Sequence, residues 1–461
     1  MLPRLSAGQA VGALTAVLGV AFAVLPASFN LPPSLGPIAG VALAALGLYA
    51  GGGLPEHVTS LLLFTVVMVF GLAPAETMFA GFASTALWLV FGGLIVGAAV
   101  QRTGLGRRLA ILAAKRLPTS YRGLIYGVIG LGIGLAFLMP STMGRIVILI
   151  PIIAALAERF GFEPGRPGHA GMVIAASFGT FLPALAILPA NLPNTVLIGA
   201  METLYGISPA YGPYFLLQFP VLGFLKAIVI AEVTLRCLPD VPEPLPEGDG
   251  NGRWTGPETR LLIVLLGSLG LWVTDVWHGI SPGWVALMAG SIVLFPPTRI
   301  LPPEAFRSDV NFTSFFYVAG ILGLGSLIAE SGLGELVAGR LFAHLPLGPG
   351  QPAWDVLLLS AAGSVIGLMA TQPGIPAILS PLAQHLADQT GLPLMVVLMS
   401  QVAAWSAMFL PYQSPPLIVG LRIGNVPMAS AIRVCLIQAV ITVVVLWPLH
   451  VVWWRIIGFI G

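Results

Sequence analysis

The chain consists of apolar runs that are separated by short polar turns and by turns rich in glycine and proline. Eleven of these runs have the length and apolar character of membrane-crossing helices. They lie near residues 7–25, 34–50, 58–74, 84–101, 169–200, 212–236, 260–277, 283–296, 312–330, 393–421 and 428–454. The pattern predicts an all-α polytopic membrane protein with about 11 transmembrane helices.

Two further pairs of apolar runs are interrupted by polar residues. The first pair spans residues 123–160 with a break at Leu138–Arg145, and the second spans residues 355–388 with a break at Ala370–Pro376. Each run is shorter than the roughly 20 apolar residues that cross a bilayer. Broken helix at membrane depth is tolerated only where it is buried in protein or lines a wet cavity. We predict two re-entrant helical hairpins whose tips contact a ligand.

Composition and charge agree with a membrane protein. Of the 461 residues, 57% are hydrophobic and only 8% are charged, whereas soluble chains carry about 25% charged residues. With the N-terminus in the cytoplasm, most arginines fall on the cytoplasmic side, as the positive-inside rule expects. The chain is therefore predicted to be a multi-pass protein of the cell (inner) membrane, surrounded by the lipid bilayer.

Several functional classes have no support in the sequence. No basic stripe with interleaved aromatic residues is present, so we expect no nucleic-acid partner. The two cysteines and six histidines have no metal-ligand spacing, and no nucleophile–base pair is visible at membrane depth. We therefore expect no catalytic residue, no metal site and no cofactor apart from a sodium ion, which the sequence leaves in doubt.

The two halves of the chain contain an internal repeat. Thr103–Gly106 (TGLG) recurs as Ser331–Gly334 (SGLG), and each copy precedes one of the broken hairpins. Pro151 and Pro381 mark equivalent points of the two outgoing limbs. An odd number of crossings separates the copies, so the repeat is inverted. Inverted repeats with helices broken at matching places are typical of secondary transporters.

This repeat divides the chain into four parts. Residues 1–33 form an N-terminal transmembrane helix, and residues 34–237 form the first inverted repeat, which contains the hairpin 123–160. Residues 238–259 are poor in apolar residues and form a cytoplasmic linker. Residues 260–461 form the second inverted repeat, which contains the hairpin 355–388.

The chain resembles the divalent anion/sodium symporter family from about residue 34 to its end. The most specific segments are Gly81–Ser84, Trp88–Gly93 and Thr103–Ala110, together with the two hairpins. The resemblance implies a homodimer with a scaffold domain and a transport domain that moves as an elevator. It also implies a Ser-Asn-Thr motif at each hairpin tip, with sodium ions and a dianion bound between the tips. Here the corresponding residues are Ser141-Thr142-Met143 and Thr371-Gln372-Pro373, which departs from that motif.

The two tips and the two Pro-punctuated breaks of the spans 169–200 and 393–421 supply the predicted site. Helix ends exposed there offer unpaired N–H and C=O groups, and hydroxyl and amide side chains add neutral donors and acceptors. The predicted substrate-binding residues are Ser141, Thr142, Met143, Gly144, Arg145, Asn194, Thr195, Thr371, Gln372, Pro373, Gly374, Gln413, Ser414 and Pro415. The predicted ion-binding residues, if transport is coupled to sodium, are Ser141, Asn191, Thr371 and Tyr412.

Arg145 has three interpretations. Its guanidinium could bind the anionic substrate in a bidentate manner. It could occupy the place of a sodium ion as a fixed cation, or it could extend toward the cytoplasm as arginines near a boundary do. Either of the first two implies uniport or exchange. Lys226, in the span 212–236, is expected to reach the interface or to pair locally.

These observations favour a secondary active transporter of small anions, most readily di- or tricarboxylates, that works by elevator-type alternating access. Sodium-independent exchange or uniport with Arg145 as fixed cation is the leading form. The alternatives are a sodium-coupled symporter of sulfate, a sulfonate or a dicarboxylate, and a proton-coupled carrier. An anion channel and a membrane-embedded enzyme are alternatives of a different class. Proton coupling has little support, because the predicted hairpins contain few acidic residues or histidines. Before their closing residues, only Asp355 at one entrance and His385 on the second outgoing limb are of these types.

Overall fold

The structure is a computed structural model that describes residues 7–51, 54–114, 119–139, 141–243, 254–310, 312–342, 345–369 and 372–461. Every regular element within these residues is a helix. The helices of the first half are α1 (Ala7–Val24), α2 (Gly36–Gly51), α3 (Glu56–Val69), α4 (Ala75–Met78), α5 (Ala80–Ala83), α6 (Thr85–Thr103), α7 (Leu105–Ala114), α8 (Tyr121–Leu138), α9 (Thr142–Arg159), α10 (Pro167–Phe181), α11 (Leu192–Tyr205), α12 (Tyr211–Gln218) and α13 (Lys226–Cys237).

The second half repeats this all-helical pattern. Its helices are α14 (Gly256–Val273), α15 (Asp275–His278), α16 (Pro282–Leu294), α17 (Ala305–Ser308), α18 (Phe312–Glu330), α19 (Leu333–Leu341), α20 (Pro352–Met369), α21 (Gly374–Leu379), α22 (Ala383–Thr390), α23 (Leu394–Ser406), α24 (Pro415–Ile423), α25 (Met428–Ile441) and α26 (Trp447–Ile456). One π-helical turn joins α12 to α13 at Phe219–Leu225, and a second joins α25 to α26 at Thr442–Leu446.

Seven stretches of helix within the described ranges are long and apolar enough to cross a membrane. They are Thr85–Thr103, Tyr121–Leu138, Pro167–Ala186, Tyr211–Cys237, Gly256–Val273, Phe312–Glu330 and Met428–Ile456. Shorter apolar helices accompany them, among them α3, α16 and α23. The class of multi-pass helical membrane protein is confirmed, while the number of crossings stays a prediction.

The first predicted hairpin consists of α8 and α9, whose outer ends meet the same segment of chain. Tyr121, at the start of α8, donates its hydroxyl proton to the carbonyl of Leu238 at 2.7 Å. Just beyond α9, the carbonyl of Phe160 accepts from the N–H of Glu243 at 2.9 Å. Both limbs therefore begin and end at one end of the molecule, as a hairpin requires. Each limb has 18 residues, so α8 is longer than the apolar run suggests, and re-entry into the membrane stays a prediction.

The second predicted hairpin is irregular on its outgoing side. After α20, the chain forms α21, a short 3-10 turn at Ser380–Leu382 and then α22. The proline at position 381 cannot donate the hydrogen bond that a continuous α-helix needs there. The outer ends again adjoin, because a Cβ placed on Gly391 would lie 3.5 Å from Cβ of Pro349.

Two other helices are broken near the middle of the molecule. After α10 the chain forms a 3-10 turn at Pro183–Ala186 and restarts as α11, and after α23 it forms a 3-10 turn at Pro411–Gln413 and restarts as α24. We call these two segments the first break (182–191) and the second break (407–414). Both breaks lie where the sequence pattern placed prolines within predicted spans, and both lie next to the tips of the two hairpins.

Helices α6 and α16 pack with their backbones in contact. A Cβ placed on Gly92 would lie 2.2 Å from the carbonyl oxygen of Ala286, and one on Gly283 would lie 2.1 Å from the carbonyl oxygen of Thr85. Only glycine permits so close an approach at these two positions. Helix α6, together with α3 and α18, forms a wall opposite the two breaks.

Candidate functional site

A cavity of about 280 Å³ lies between the two breaks and the wall formed by α3, α6 and α18. Four helices begin at this cavity, namely α9, α11, α21 and α24. The residues that line it on this side are Ser141, Thr142, Met143, Phe181, Pro189, Asn191, Leu192, Pro193, Thr195, Gln372, Pro373, Gln413, Ser414, Pro415 and Pro416. The N-terminal ends of helices carry partial positive charge, so this side of the cavity favours an anion. The helices differ in the N–H groups they add, because α24 begins with Pro415 and Pro416, which have none.

Ser141 caps the N-terminus of α9. Its Oγ accepts a hydrogen bond from the N–H of Gly144 at 3.1 Å, and its carbonyl accepts from the N–H of Arg145 at 3.0 Å. The first N–H groups of a helix have no partner within the helix, so those of Thr142 and Met143 remain for a ligand at the cavity wall. The hydroxyl of Thr142 itself donates to the carbonyl of Ala190 at 3.2 Å.

Arg145 is completely buried and joins this tip to the first break. Its Nε donates to Oγ1 of Thr180 at 3.1 Å, and its Nη2 donates to the carbonyls of Thr180 and Ala190 at 3.1 and 3.0 Å. The carbonyl of Met139 accepts from Nη1. Among the described residues, Arg145 forms no ion pair with a carboxylate. The guanidinium therefore lies behind the cavity wall, where it binds backbone oxygens.

Two asparagines donate hydrogen bonds to further backbone carbonyls of the first break. Asn191 donates through Nδ2 to the carbonyl of Ala184 at 2.8 Å. Asn194 donates through Nδ2 to the carbonyls of Leu185 and Ile187, each at 3.0 Å. At the break, backbone carbonyls lose their helical partners. They therefore largely accept hydrogen bonds from N–H groups of protein side chains.

The second break uses two glutamines for the same purpose. Gln372 donates from its backbone N–H to the carbonyl of Gln413 at 3.0 Å and from Nε2 to the carbonyl of Trp405 at 2.8 Å. Gln413 accepts the N–H groups of Phe409 and Leu410 at 2.8 and 3.0 Å. Its Nε2 donates to the carbonyl of Gly367 at 2.7 Å. These hydrogen bonds, all between neutral groups, join the second tip to the second break.

The structure brings most of the predicted site residues together. Those that line the cavity are Ser141, Thr142, Met143, Asn191, Thr195, Gln372, Pro373, Gln413, Ser414 and Pro415. Gly144, Arg145, Asn194, Gly374 and Tyr412 are not among the lining residues, and Tyr412 instead donates its hydroxyl proton to the carbonyl of Leu368. Thr371 lies outside the described residues.

The opposite wall was not predicted from the sequence. It is formed by Glu56, Leu89, Val90, Gly93, Leu94, Thr313, Ser314 and Tyr317. Glu56 is the acidic side chain of the described cavity lining. It is the first residue of α3 and lies two residues before the predicted span 58–74, and an ionisable residue at such a boundary is a signal that could have been followed.

Lys226 was expected to reach the interface or to pair locally, and its ammonium donates to the carbonyl of Ser406 and to Oγ1 of Thr442. Its side chain is fully buried, and it forms no ion pair with a described residue. The helix that carries it, α13, packs against α8, α10 and α25. No group of three or more described His, Cys, Asp or Glu residues could hold a metal ion.

Two relatives illustrate the proteins to which this chain is similar. A "Membrane protein" of Cupriavidus necator is 24% identical over 313 residues, which are 66% of this chain and 61% of that protein. The L-tartrate/succinate antiporter of Escherichia coli K12 is 27% identical over 293 residues, which are 58% of each chain. The chain thus aligns with less than two thirds of either relative.

The fold is also similar to that of a known transporter. The crystal structure of the Alcanivorax borkumensis YdaH transporter superposes with a TM-score of 0.54 at 18% identity, covering 83% of this chain and 86% of that one. At this identity the likeness shows the fold alone.

The family model described as the sodium:sulfate symporter transmembrane region matches residues 9–460. The family is one of symporters and the Escherichia coli relative is an antiporter, so the prediction that this is not an enzyme is confirmed. Because the match covers nearly the whole chain, the protein belongs to the sodium:sulfate symporter family, as its sequence predicted.

Proposed function

We propose that this protein is a secondary transporter of small anions, with di- and tricarboxylates as the preferred class. The observation that carries the proposal is the convergence of four helix N-termini on one cavity. Helix dipoles directed at one space, together with the N–H groups of Thr142 and Met143 at the start of α9, favour carboxylates and other oxyanions without a charged side chain. The similarity to an L-tartrate/succinate antiporter supports carboxylates over sulfate.

We further propose that transport is independent of sodium and takes the form of exchange or uniport. A sodium site at a broken helix needs free carbonyl oxygens. At the first break, Arg145, Asn191 and Asn194 bind the carbonyls of Thr180, Ala184, Leu185, Ile187 and Ala190. Arg145 supplies a permanent positive charge at that place, so it acts as the fixed cation and does not contact the substrate directly.

An elevator-type movement remains part of the proposal. The cavity lies between two sets of elements, one that carries the tips and breaks and one formed by α3, α6 and α18. Movement of the first set against the second would carry a bound anion across the membrane. A homodimer is likewise proposed, and light scattering of the purified protein in detergent tests it.

The coupling mode can be tested in proteoliposomes. Uptake of labelled succinate is measured with sodium, potassium or choline as the external cation, with and without unlabelled succinate inside. We expect equal uptake in the three cations, and stimulation by internal succinate if the protein is an exchanger. Strict dependence on sodium would contradict the proposal.

The substrate class can be tested by thermal unfolding. Ligand binding to the folded state raises the melting temperature by mass action. We expect succinate, L-tartrate or citrate to raise the melting temperature in choline buffer, and sulfate to raise it less. Stabilisation by sulfate or a sulfonate alone would favour the alternative substrate class.

Proton coupling is a second candidate because Glu56 lines the cavity. A carboxylate facing an anion site repels the substrate unless it is protonated, so proton binding and substrate binding would be linked. Glu56→Gln would then remove the response of uptake to a proton gradient. Glu76→Gln, which changes an exposed residue of α4, is the control. If uptake by the wild-type chain did not respond to the proton gradient, proton coupling would be excluded.

A further inference from the structure

A second cation, Lys226, is buried in the protein without a charged partner among the described residues. Lys226 is the first residue of α13, directly after the π-helical turn Phe219–Leu225, and its side chain has no exposed surface. Its ammonium donates to the carbonyl of Ser406 at 3.0 Å and to Oγ1 of Thr442. No described carboxylate lies within ion-pair distance of it. A charge held in this way is costly unless other groups compensate it.

The two partners of Lys226 are both suited to a cation. Ser406 is the last residue of α23, so its carbonyl lacks a helical partner and lies at the negative end of the helix dipole. The hydroxyl of Thr442 donates its own proton to the carbonyl of Gln438 at 2.6 Å. Its oxygen can therefore only accept from Lys226. The ammonium is held as a donor to two oxygen atoms.

This arrangement is the counterpart of Arg145 at the other break. Arg145 binds the carbonyl of Thr180 in the last turn of α10, and Lys226 binds the carbonyl of Ser406 at the end of α23. Helices α10 and α23 are the equivalent broken spans of the two repeats. A different element supplies each cation, because Arg145 belongs to a hairpin tip whereas Lys226 belongs to the span that precedes the linker.

We infer that Lys226 is the fixed cation of the second break, a positioning residue that neutralises the end of α23. The inference rests on the proposed sodium-independent function and extends it to both breaks. Removing the charge would leave a buried space the size of an ammonium group, bounded by the oxygens of Ser406 and Thr442. Such a space is suited to a small alkali cation.

The test uses the full chain with Lys226→Met, and Lys226→Gln as a second neutral variant. Thermal unfolding is measured without substrate in sodium chloride and in choline chloride of equal ionic strength. At a sodium concentration of ten times Kd, we expect the variants to gain about 2 °C in melting temperature. Their succinate uptake in choline should fall by about tenfold relative to sodium, because the end of α23 then needs a bound cation.

Two variants serve as controls. Lys226→Arg keeps the charge and should show no response to sodium. Arg236→Gln removes a mostly exposed arginine from the same helix, which pairs with Glu232, and should also show none. A neutral variant that folds only in sodium would support the inference.

Neutral variants with unchanged, sodium-independent uptake would overturn the inference, and so would variants that sodium cannot rescue in folding or uptake. A sodium response of the wild-type chain would instead contradict the proposed function. The two failures are therefore distinguishable.

Discussion

At the two breaks, different kinds of side chain form hydrogen bonds with backbone groups that have lost their helical partners. At the first break, the buried guanidinium of Arg145 binds three backbone carbonyls directly behind the cavity. At the second break, the neutral amides of Gln372 and Gln413 make the bonds beside the cavity, and the positive charge of Lys226 lies further along, on α13. The two broken helices therefore have breaks beside the same cavity without having the same residues to satisfy them.

This difference has a physical consequence for the cavity. Buried polar groups must be hydrogen-bonded, but amides and guanidinium groups meet that requirement equally well. Only the guanidinium adds a charge next to the anion site, where the low dielectric constant of the protein strengthens its effect. We therefore expect the first break to control substrate binding and the second to control mainly the stability of the tip.

The largest effect is expected for Arg145→Met. The change leaves the carbonyls of Met139, Thr180 and Ala190 unbonded, at a net cost of about 3 kcal/mol in the free energy of unfolding. Uptake of succinate should fall by at least about a hundredfold, because lost positive charge weakens anion binding by several kcal/mol. Thermal unfolding and proteoliposome uptake measure the two effects.

Arg159→Gln is the control for that change, since Arg159 is exposed in the last turn of the same helix. It should leave both measurements unchanged. Arg145→Lys should retain part of the uptake because it retains the charge. If Arg145→Met transported normally, the first break would not differ from the second in the way proposed.

A smaller effect is expected for Gln413→Leu. The substitution removes the acceptor of two backbone N–H groups and the donor to Gly367, which should cost about 2 kcal/mol of stability. Uptake per folded molecule should change less than for Arg145→Met, because no charge is lost. Gln384→Leu, at an exposed position of α22, is the control. A greater loss of substrate affinity than Arg145→Met produces would reverse the comparison.

Ser141→Ala removes the N-cap of α9 and should cost about 1 kcal/mol of stability. It should also weaken substrate binding several-fold, because Ser141 lines the cavity. Ser120→Ala removes the equivalent cap of α8, where the N–H of Gly123 binds Ser120 Oγ at 3.1 Å, and should cost stability alone. Equal effects of the two variants on the succinate-induced thermal shift would argue against a ligand at this tip.

The smallest effect is expected for Tyr412→Phe. The Tyr412 side chain is half exposed and its hydroxyl binds one carbonyl, that of Leu368. Its loss should cost about 0.5–1 kcal/mol and leave the cation dependence of uptake unchanged. A new dependence on sodium would show that Tyr412 belongs to an ion site, as the sequence suggested.

Most of the architecture could be predicted from the sequence. The apolar runs and the prolines within spans indicated the membrane class and both breaks, while the re-entry of the two hairpins and the inverted repeat stay predictions. These features are local, because run length and proline chemistry act on the chain wherever it lies. Ten of the fifteen residues that line the cavity on the side of the tips were predicted as site residues from the same features.

The sequence could not determine what the buried charges contact. Arg145 and Lys226 were visible as ionisable residues within apolar segments, but their partners, Thr180 and Ser406, come from other helices and contribute backbone oxygens that no sequence pattern marks. Glu56 likewise reached the cavity only because α3 packs on α18. The sequence by itself determined that the chain is apolar and helical and that prolines interrupt two of its helices, since those features depend on neighbouring residues. The tertiary structure alone decided which oxygens meet which cations, since that depends on how distant helices pack.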